Sequence, residues 1–182
     1  ACDRDDGIPL CSDCFNNGDG AVKVIDHDEH PEIFGKVLVA AVDLPVGHKL
    51  IYWGDLLKAN QIRRKARDHM IEFIPNEYNG VARGTIDPTS HPNSLLQFAM
   101  MPGPTEVVNL TPTTKHFGRV GKNRTKLGAR VYRVCRPIPA GTQLCHDYGR
   151  AWLEARGIDR LDCGTEALPM PKRRKPMASR NF

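Results

Sequence analysis

The chain has 182 residues, and 40% of them are hydrophobic, which allows one domain with a core of its own. Its 16 glycines and 14 prolines are typical of short strands joined by turns rather than of a helical protein. The formal net charge is +5, and the lack of an 18-residue apolar run excludes a membrane-spanning helix.

The sequence predicts one main domain over residues 34–158. An N-terminal segment, 1–33, precedes it, and a flexible basic tail, 159–182, follows it. Because the chain starts at Ala1 and shows no signal peptide, we expect an excised or processed segment. The six cysteines are irregularly spaced, which favours a reducing compartment over a disulfide scaffold.

The N-terminal segment has the residue types and the spacing of a small zinc site. Cys11 and Cys14 are separated by two residues, and twelve residues separate Cys14 from His27, as in two-Cys two-His fingers. His30 completes the predicted ligand set, and Cys2 is an alternative to one histidine. Since acidic residues surround His27, the other interpretation is a charged surface loop without metal.

The region that follows predicts short strands and one helix. Val37–Val42 is almost continuously apolar, as in a buried strand, and Asp43–Leu50 turns the chain towards a second strand that ends at Ile51–Gly54. Leu56–Met70 has apolar residues at helical spacing and basic residues elsewhere, which predicts an amphipathic surface helix. Ile71–Ile74 alternates and predicts a further strand.

Two basic regions favour an acidic partner. No acidic residue occurs between Val107 and His146, and the window contains eight cationic residues: Lys115, Arg119, Lys122, Arg124, Lys126, Arg130, Arg133 and Arg136. The stretch 115–136 therefore predicts contact with nucleic acid or a nucleosome, the alternative being a solvated basic loop. In the tail, Pro171–Pro176 encloses a basic cluster that looks like a nuclear import signal or a phosphate-binding arm, so we expect a nuclear protein.

The stretch from Val131 to Ile158 predicts a strand, a tight turn, a second strand and a helix. Val131–Cys135 is β-branched and aromatic, whereas Pro137–Gly141 cannot continue a strand. Gln143–Asp147 can return as a strand, and Gly149 releases the chain into a helix over Arg150–Arg156.

These motifs resemble a known family. Ile138–Gly149 is similar to the end of SET domains, which are protein lysine methyltransferases, and Tyr132–Arg136 with Ala155–Ile158 resembles the PR-domain subfamily more closely. Further matches to the family pattern occur earlier in the chain: Asp43, Gly47, Tyr52, Gly54, Gly84–Thr89 and Glu106–Leu110.

The resemblance implies a mostly β fold of small sheets with short helices and a threaded C-terminal segment. It also implies an S-adenosylmethionine-dependent methyltransferase that acts on a histone or another protein lysine in chromatin. Tyr148 is then the catalytic residue, and Tyr52 and Tyr132 line the channel for the substrate lysine. Taken singly, Tyr52 and Tyr132 are equally consistent with aromatic residues in a core.

The resemblance is weakest in the cofactor region. It implies seven cofactor-binding residues: Gly35, Lys36, Val37, Phe98, Met100, Met101 and Asn109. Val37 replaces a family glycine, Gln97 replaces an arginine, and Met100 replaces an asparagine that helps to hold the methyl donor, so a hydrogen-bond donor and acceptor are lost. The sequence therefore leaves open a catalytically inactive docking module in chromatin and, less favoured, a nucleic-acid-binding protein.

Overall fold

Strands make up most of the regular structure in the computed structural model of the chain, so the predicted mostly β fold is confirmed. The structure describes residues 9–27, 35–58, 71–73, 84–103, 106–120, 126–154 and 157. In chain order the elements are α1 (Ser12–Asn17), β1 (Val22–Asp26), β2 (Lys36–Ala40), β3 (Lys49–Leu57), β4 (Ile71–Phe73), β5 (Gly84–Asp87), a 3-10 helix (Leu95–Phe98), β6 (Leu110–Val120), β7 (Lys126–Val134) and α2 (Arg150–Glu154). No described helix has the length and apolar character needed to cross a membrane.

The larger sheet is antiparallel and centred on β3, with strand order β4-β5-β3-β7-β6. On one side β3 pairs with β7, so that Tyr52 lies opposite Arg130, and near its end it pairs with β5, so that Leu56 lies opposite Ile86. Strands β1 and β2 form a separate two-stranded sheet. Because side chains alternate along a strand, Tyr52 and Leu56 share one face of β3 and Trp53 points to the other.

Each face of the larger sheet has its own apolar cluster. The face that carries Tyr52 belongs to the main core, together with Leu38, Leu110 and Leu144, which are fully buried. On the opposite face, Trp53 stacks on Phe15 of α1, with ring centroids 4.5 Å apart and an interplanar angle of 24°.

These contacts join residues 9–27 to the rest of the fold. The pairing of β1 with β2 over its whole length is a second connection between residues 9–27 and the rest of the fold. The division of the chain into 1–33, 34–158 and 159–182 stays a prediction.

Several elements have bounds that differ from those predicted from the sequence. The predicted helix start at Leu56 is wrong, because β3 continues to Leu57 and buries Leu56 against the neighbouring strand. The rest of that helix, 59–70, lies outside the described residues. β4 confirms the predicted strand over Ile71–Phe73. The buried strand predicted at Val37–Val42 is β2, which ends at Ala40, and Val42 is exposed.

Residues 141–148, called the threaded segment below, pass between β2, the chain after the 3-10 helix and the start of β6. Three backbone hydrogen bonds define this path: Leu144 N–H to the Leu38 carbonyl at 2.8 Å, His146 N–H to the Met100 carbonyl at 2.9 Å, and Leu110 N–H to the Cys145 carbonyl at 2.9 Å. The predicted strand Gln143–Asp147 therefore forms bridges to three other parts of the chain and does not return along β7. The prediction of a threaded C-terminal segment is confirmed.

The packing of β3 against β5 makes Gly54 sensitive to substitution. A Cβ at this position would overlap the backbone of Asp87 and Pro88, and backbone cannot move aside as a flexible side chain can. We expect Gly54→Ala to lower the free energy of unfolding by about 3 kcal/mol, measured by urea denaturation. Gly20→Ala is the matched control, since a Cβ there meets nothing within 4 Å. Equal stabilities of the two variants would contradict the packing described here.

Candidate active site

Four aromatic side chains lie in a row inside the fold, beside the threaded segment. The ring centroids are 6.3 Å apart for Tyr52 and Tyr132, 5.1 Å for Tyr132 and His146, and 4.6 Å for His146 and Tyr148. This set is called the aromatic row below. It brings together three of the four tyrosines in the sequence, and these are the three that were predicted to form the site.

The sheet places two of these tyrosines. Leu50 of β3 lies opposite Tyr132 of β7, so Tyr52, two residues further along β3, is the diagonal neighbour of Tyr132 on the same face. Both are almost fully buried, with 3% and 2% of their surface exposed. They therefore also belong to the core, as the alternative interpretation of the sequence had it.

The threaded segment places Tyr148. Its hydroxyl donates a hydrogen bond to the carbonyl of Ala99 at 2.8 Å, and its backbone N–H points at the sulfur of Met101 at 3.0 Å. Gly149, which follows, has φ of 90°, a conformation that side-chain-bearing residues rarely adopt. The chain can therefore turn sharply after Tyr148 into α2.

His146 is a member of the aromatic row that the sequence analysis missed. It is 7% exposed, and its Nδ1 atom has no hydrogen-bond partner within the part of the chain that the structure describes. The hydroxyl of Tyr52 is likewise buried without a described partner. Spacing gives a signal for His146: in an extended segment, residues two apart share a face, so His146 lies on the side of Tyr148 and Leu144.

Burial keeps the polar groups of the aromatic row uncharged. The pKa of His146 is lowered to about 4, chiefly by desolvation; the charge of Arg130 acts in the same direction, and the Asp147 backbone and carboxylate oppose the shift. Burial raises the pKa of Tyr132 to about 12, and burial with the neighbouring Tyr132, Tyr148 and Asp87 raises the pKa of Tyr52. These three side chains are neutral near pH 7, so the site provides hydrogen-bonding groups without charge.

Arg130 places a cation against the aromatic row. Its guanidinium carbon lies 5.9 Å from the centroid of the Tyr132 ring, and its Nε donates to the carbonyl of Thr113 at 3.2 Å. Arg130 therefore packs on the site, whereas Lys115, Arg133 and Arg136 of the predicted basic stretch are exposed. Contact of the stretch 115–136 with nucleic acid stays a prediction.

The predicted cofactor residues differ in what they offer a ligand. Phe98, Met100 and Met101 are half-buried, and the sulfur of Met101 contacts the backbone N–H of Tyr148. The three side chains leave apolar surface that fits the apolar parts of a cofactor. The peptide groups of Met100 are bonded within the fold: its N–H reaches the Leu144 carbonyl at 3.3 Å, and its carbonyl accepts from His146. Both peptide groups of Met100 therefore already have partners within the fold.

Both polar atoms of the Asn109 side-chain amide are hydrogen-bonded to the threaded segment. Its Nδ2 donates to the Gln143 carbonyl at 2.8 Å, and its Oδ1 accepts from the Cys145 N–H at 2.8 Å. Asn109 is 6% exposed, so its side chain holds the path of the threaded segment, and a role in cofactor binding stays a prediction.

Three of the predicted cofactor residues, Gly35, Lys36 and Val37, lie where β2 begins. Gly35 has φ of 63°, and Lys36 extends from the sheet to pair with Asp26 at 3.0 Å. Val37, which replaces a family glycine, is 2% exposed, so its side chain is part of the packed interior. A role of these three residues in cofactor binding stays a prediction.

The predicted zinc site lies only partly within the described chain. Cys11 is the N-cap of α1, where its sulfur accepts a hydrogen bond from the Cys14 N–H at 3.4 Å. No group of three potential metal ligands occurs among the described residues, but His30 and Cys2 lie outside them. The zinc prediction thus gains no support, and the ligand set Cys11, Cys14, His27 and His30 stays a prediction.

Comparison with solved structures finds a similarity to the methyltransferase domain of human PR domain-containing protein 2, with a TM-score of 0.48 and 19% sequence identity. It covers 75% of this chain and 84% of that one. This chain is thus similar in structure to a PR-domain methyltransferase domain. No protein-family model matches the sequence, and neither does any curated protein.

Asn109 provides a test of how the threaded segment is held. In Asn109→Leu the Gln143 carbonyl and the Cys145 N–H each lose a partner in a buried environment. We expect the free energy of unfolding to fall by about 3 kcal/mol, and hydrogen exchange to speed up over residues 143–148. Asn17→Leu, on the exposed face of α1, is the control and should change stability by less than about 0.5 kcal/mol. Unchanged exchange in Asn109→Leu would contradict this role.

The buried neutral His146 predicts an acid-sensitive fold. Its folded pKa of about 4 lies below its unfolded value of 6.5, so the unfolded state binds more protons between these two values. Stability should therefore fall as the pH drops from 6.5 to 4, by about 3 kcal/mol from this group. Urea denaturation across this range should show a shallower decline in His146→Phe than in the wild type. Parallel curves would contradict the assignment.

Proposed function

We propose that this protein transfers a methyl group from S-adenosylmethionine to the side-chain amine of a protein lysine, with a histone tail as its substrate. The observation that carries the proposal is the aromatic row, in which Tyr52, Tyr132 and Tyr148 come together beside the threaded segment. Two strands and one crossing segment converge there, although each tyrosine singly is compatible with a core role.

The row suits the chemistry of an amine nucleophile. A lysine in water has a pKa of about 10.4 and is almost entirely charged, whereas only the neutral amine has a lone pair to donate. Walls of aromatic rings with neutral polar atoms disfavour the ammonium form and orient the nitrogen without adding charge. The positive charge of Arg130 near Tyr132 acts in the same direction.

S-adenosylmethionine would supply a methyl group already activated by attachment to a sulfonium. The half-buried Phe98, Met100 and Met101 would hold its apolar parts next to Tyr148. The residues of the chain then have two tasks, which are to align the amine and to exclude water from it.

A second candidate is a docking module of the same fold without catalysis. Two observations favour it: Met100 stands where the family has an asparagine, and the amide of Asn109 is already bonded to the threaded segment. In that case the exposed cations of the basic stretch and the tail would provide the contacts with chromatin in the nucleus.

Methyl transfer to core histones from a labelled donor tests the proposal. We expect incorporation by the wild-type protein and a loss of about 100-fold in Tyr148→Phe, because the hydroxyl removed is one that orients the reacting groups. The aromatic ring remains, so the variant should keep its fold, which circular dichroism and thermal melting can verify.

Equal rates for Tyr148→Phe and the wild type would remove Tyr148 from the mechanism. No incorporation by the wild type on any core histone would favour the docking module.

A further inference from the structure

Three segments continue the larger sheet beyond its strands at one end: 44–48, 107–109 and 135–138. Leu44 and Ile138 exchange two backbone hydrogen bonds, of 2.8 and 3.0 Å, so the first segment runs antiparallel beside the third. The second segment lies on the other side of the third, because the Cys135 N–H donates to the Asn109 carbonyl at 2.9 Å. The sheet therefore ends in an extension of three neighbouring segments.

A row of polar side chains crosses the sheet just before this extension. Lys49 of β3 lies directly opposite Arg133 of β7, which in turn lies opposite Thr111 of β6. Both cations are exposed, and neither forms an ion pair within the described ranges. Like charges that face each other across two strands are destabilising, and their Cβ atoms are about 5 Å apart. One carboxylate placed between Lys49 and Arg133 would offset this repulsion.

The acidic residue just before each outer segment of the extension has another partner. Asp43 precedes the first segment, and its Oδ1 accepts from the Ala140 N–H at 2.8 Å. Glu106 precedes the second segment, and its Oε2 accepts from the Gly103 N–H at 2.8 Å. Neither carboxylate neutralises the cations of the polar row, which leaves that row able to bind an anionic group.

Three exposed side chains form a second, apolar row in the extension: Pro45, Pro137 and Val107. They are neighbours because the pairing of Leu44 with Ile138 continues by one residue, and the pairing of Leu110 with Val134 continues by three. Exposed apolar side chains that are grouped and bordered by polar residues mark interaction sites. The two prolines also have no side-chain conformational entropy to lose on binding.

The two rows share one face of the sheet, the face opposite Tyr132. Arg133 and Pro137 are four residues apart on the central chain, so the alternation of side chains puts them on the same side, about 13 Å apart. Cys135 lies between them and is half-buried. A second extended chain laid along this face would match the distance with two of its own side chains, four residues apart.

We propose that this face binds an extended acidic segment of a partner protein, with one of its carboxylates between Lys49 and Arg133. An apolar side chain four residues away on that segment lies against Pro45, Pro137 and Val107. The apolar row favours a protein over nucleic acid, whose backbone is contacted mainly through its phosphate oxygens and sugars. Because the aromatic row lies on the opposite face, the inference does not depend on the proposed methyl transfer.

Proton–nitrogen NMR of the full chain with a synthetic peptide tests the inference. The probe is a peptide of serine and threonine that carries aspartate at one position and leucine four residues later. We expect saturable shifts of the backbone resonances of Lys49, Arg133 and Val107. A peptide of the same composition with aspartate and leucine adjacent is the control, and it should bind about 10-fold more weakly because it cannot reach both rows.

Matched variants locate the site. Arg133→Glu and Val107→Asp should each weaken binding of the probe about 10-fold, and Lys49→Glu is a second variant of the polar row. Lys23→Glu and Val42→Asp make the same changes beside the smaller sheet, and they should alter binding by less than about 2-fold. All five positions are exposed, so the variants should keep the fold, which circular dichroism verifies.

Equal binding of the two peptides, or no saturable shift at the two rows, would overturn the inference. Duplex DNA that displaces the probe and binds Val107→Asp as well as the wild type would assign the surface to nucleic acid instead. A dimer in sedimentation that Arg133→Glu dissociates would assign it to a second copy of the chain. None of these outcomes bears on methyl transfer, which is measured separately.

Discussion

The passage of residues 141–148 through the middle of the fold is the constraint on which the rest of the structure depends. This segment bonds to β2, to Met100 and to the start of β6, three parts of the chain that are otherwise separate in sequence. It also delivers His146 and Tyr148 to the face of the sheet that carries Tyr52 and Tyr132. Without it, the sheet would keep two buried tyrosines and have no site.

The threaded segment is held by polar groups of residues that were predicted to bind a cofactor. The amide of Asn109 is bonded to the segment at both its nitrogen and its oxygen, and the Met100 peptide is bonded on both sides. Meanwhile two polar atoms at the aromatic row lack described partners. A buried polar atom without a partner costs about 1–3 kcal/mol, so the fold gives up stability where the proposed lysine would bind. Such a distribution is typical of functional sites.

Tyr52, Tyr132 and Tyr148 were predicted because each stands in a short motif that resembles the SET- and PR-domain pattern, and such motifs are visible in the sequence alone. The sequence missed His146, because the place of this residue comes from a bond to Met100 and packing on Tyr132, both remote from it in sequence. The helix predicted from Leu56 was wrong at its start for the same reason, since the pairing of Leu56 with Ile86 outweighs local periodicity. Asn109 was predicted to bind a cofactor, and only the path of the threaded segment shows what its amide contacts.

The central claim is that the aromatic row and the apolar strip of Phe98, Met100 and Met101 form one site for methyl transfer. Calorimetric titration of the wild-type domain with S-adenosylmethionine tests it most directly. We predict saturable binding of one molecule per chain in the range from about 1 μM to about 1 mM that is usual for enzyme substrates. The absence of any heat of binding up to about 1 mM would contradict it and leave a docking module of the same fold.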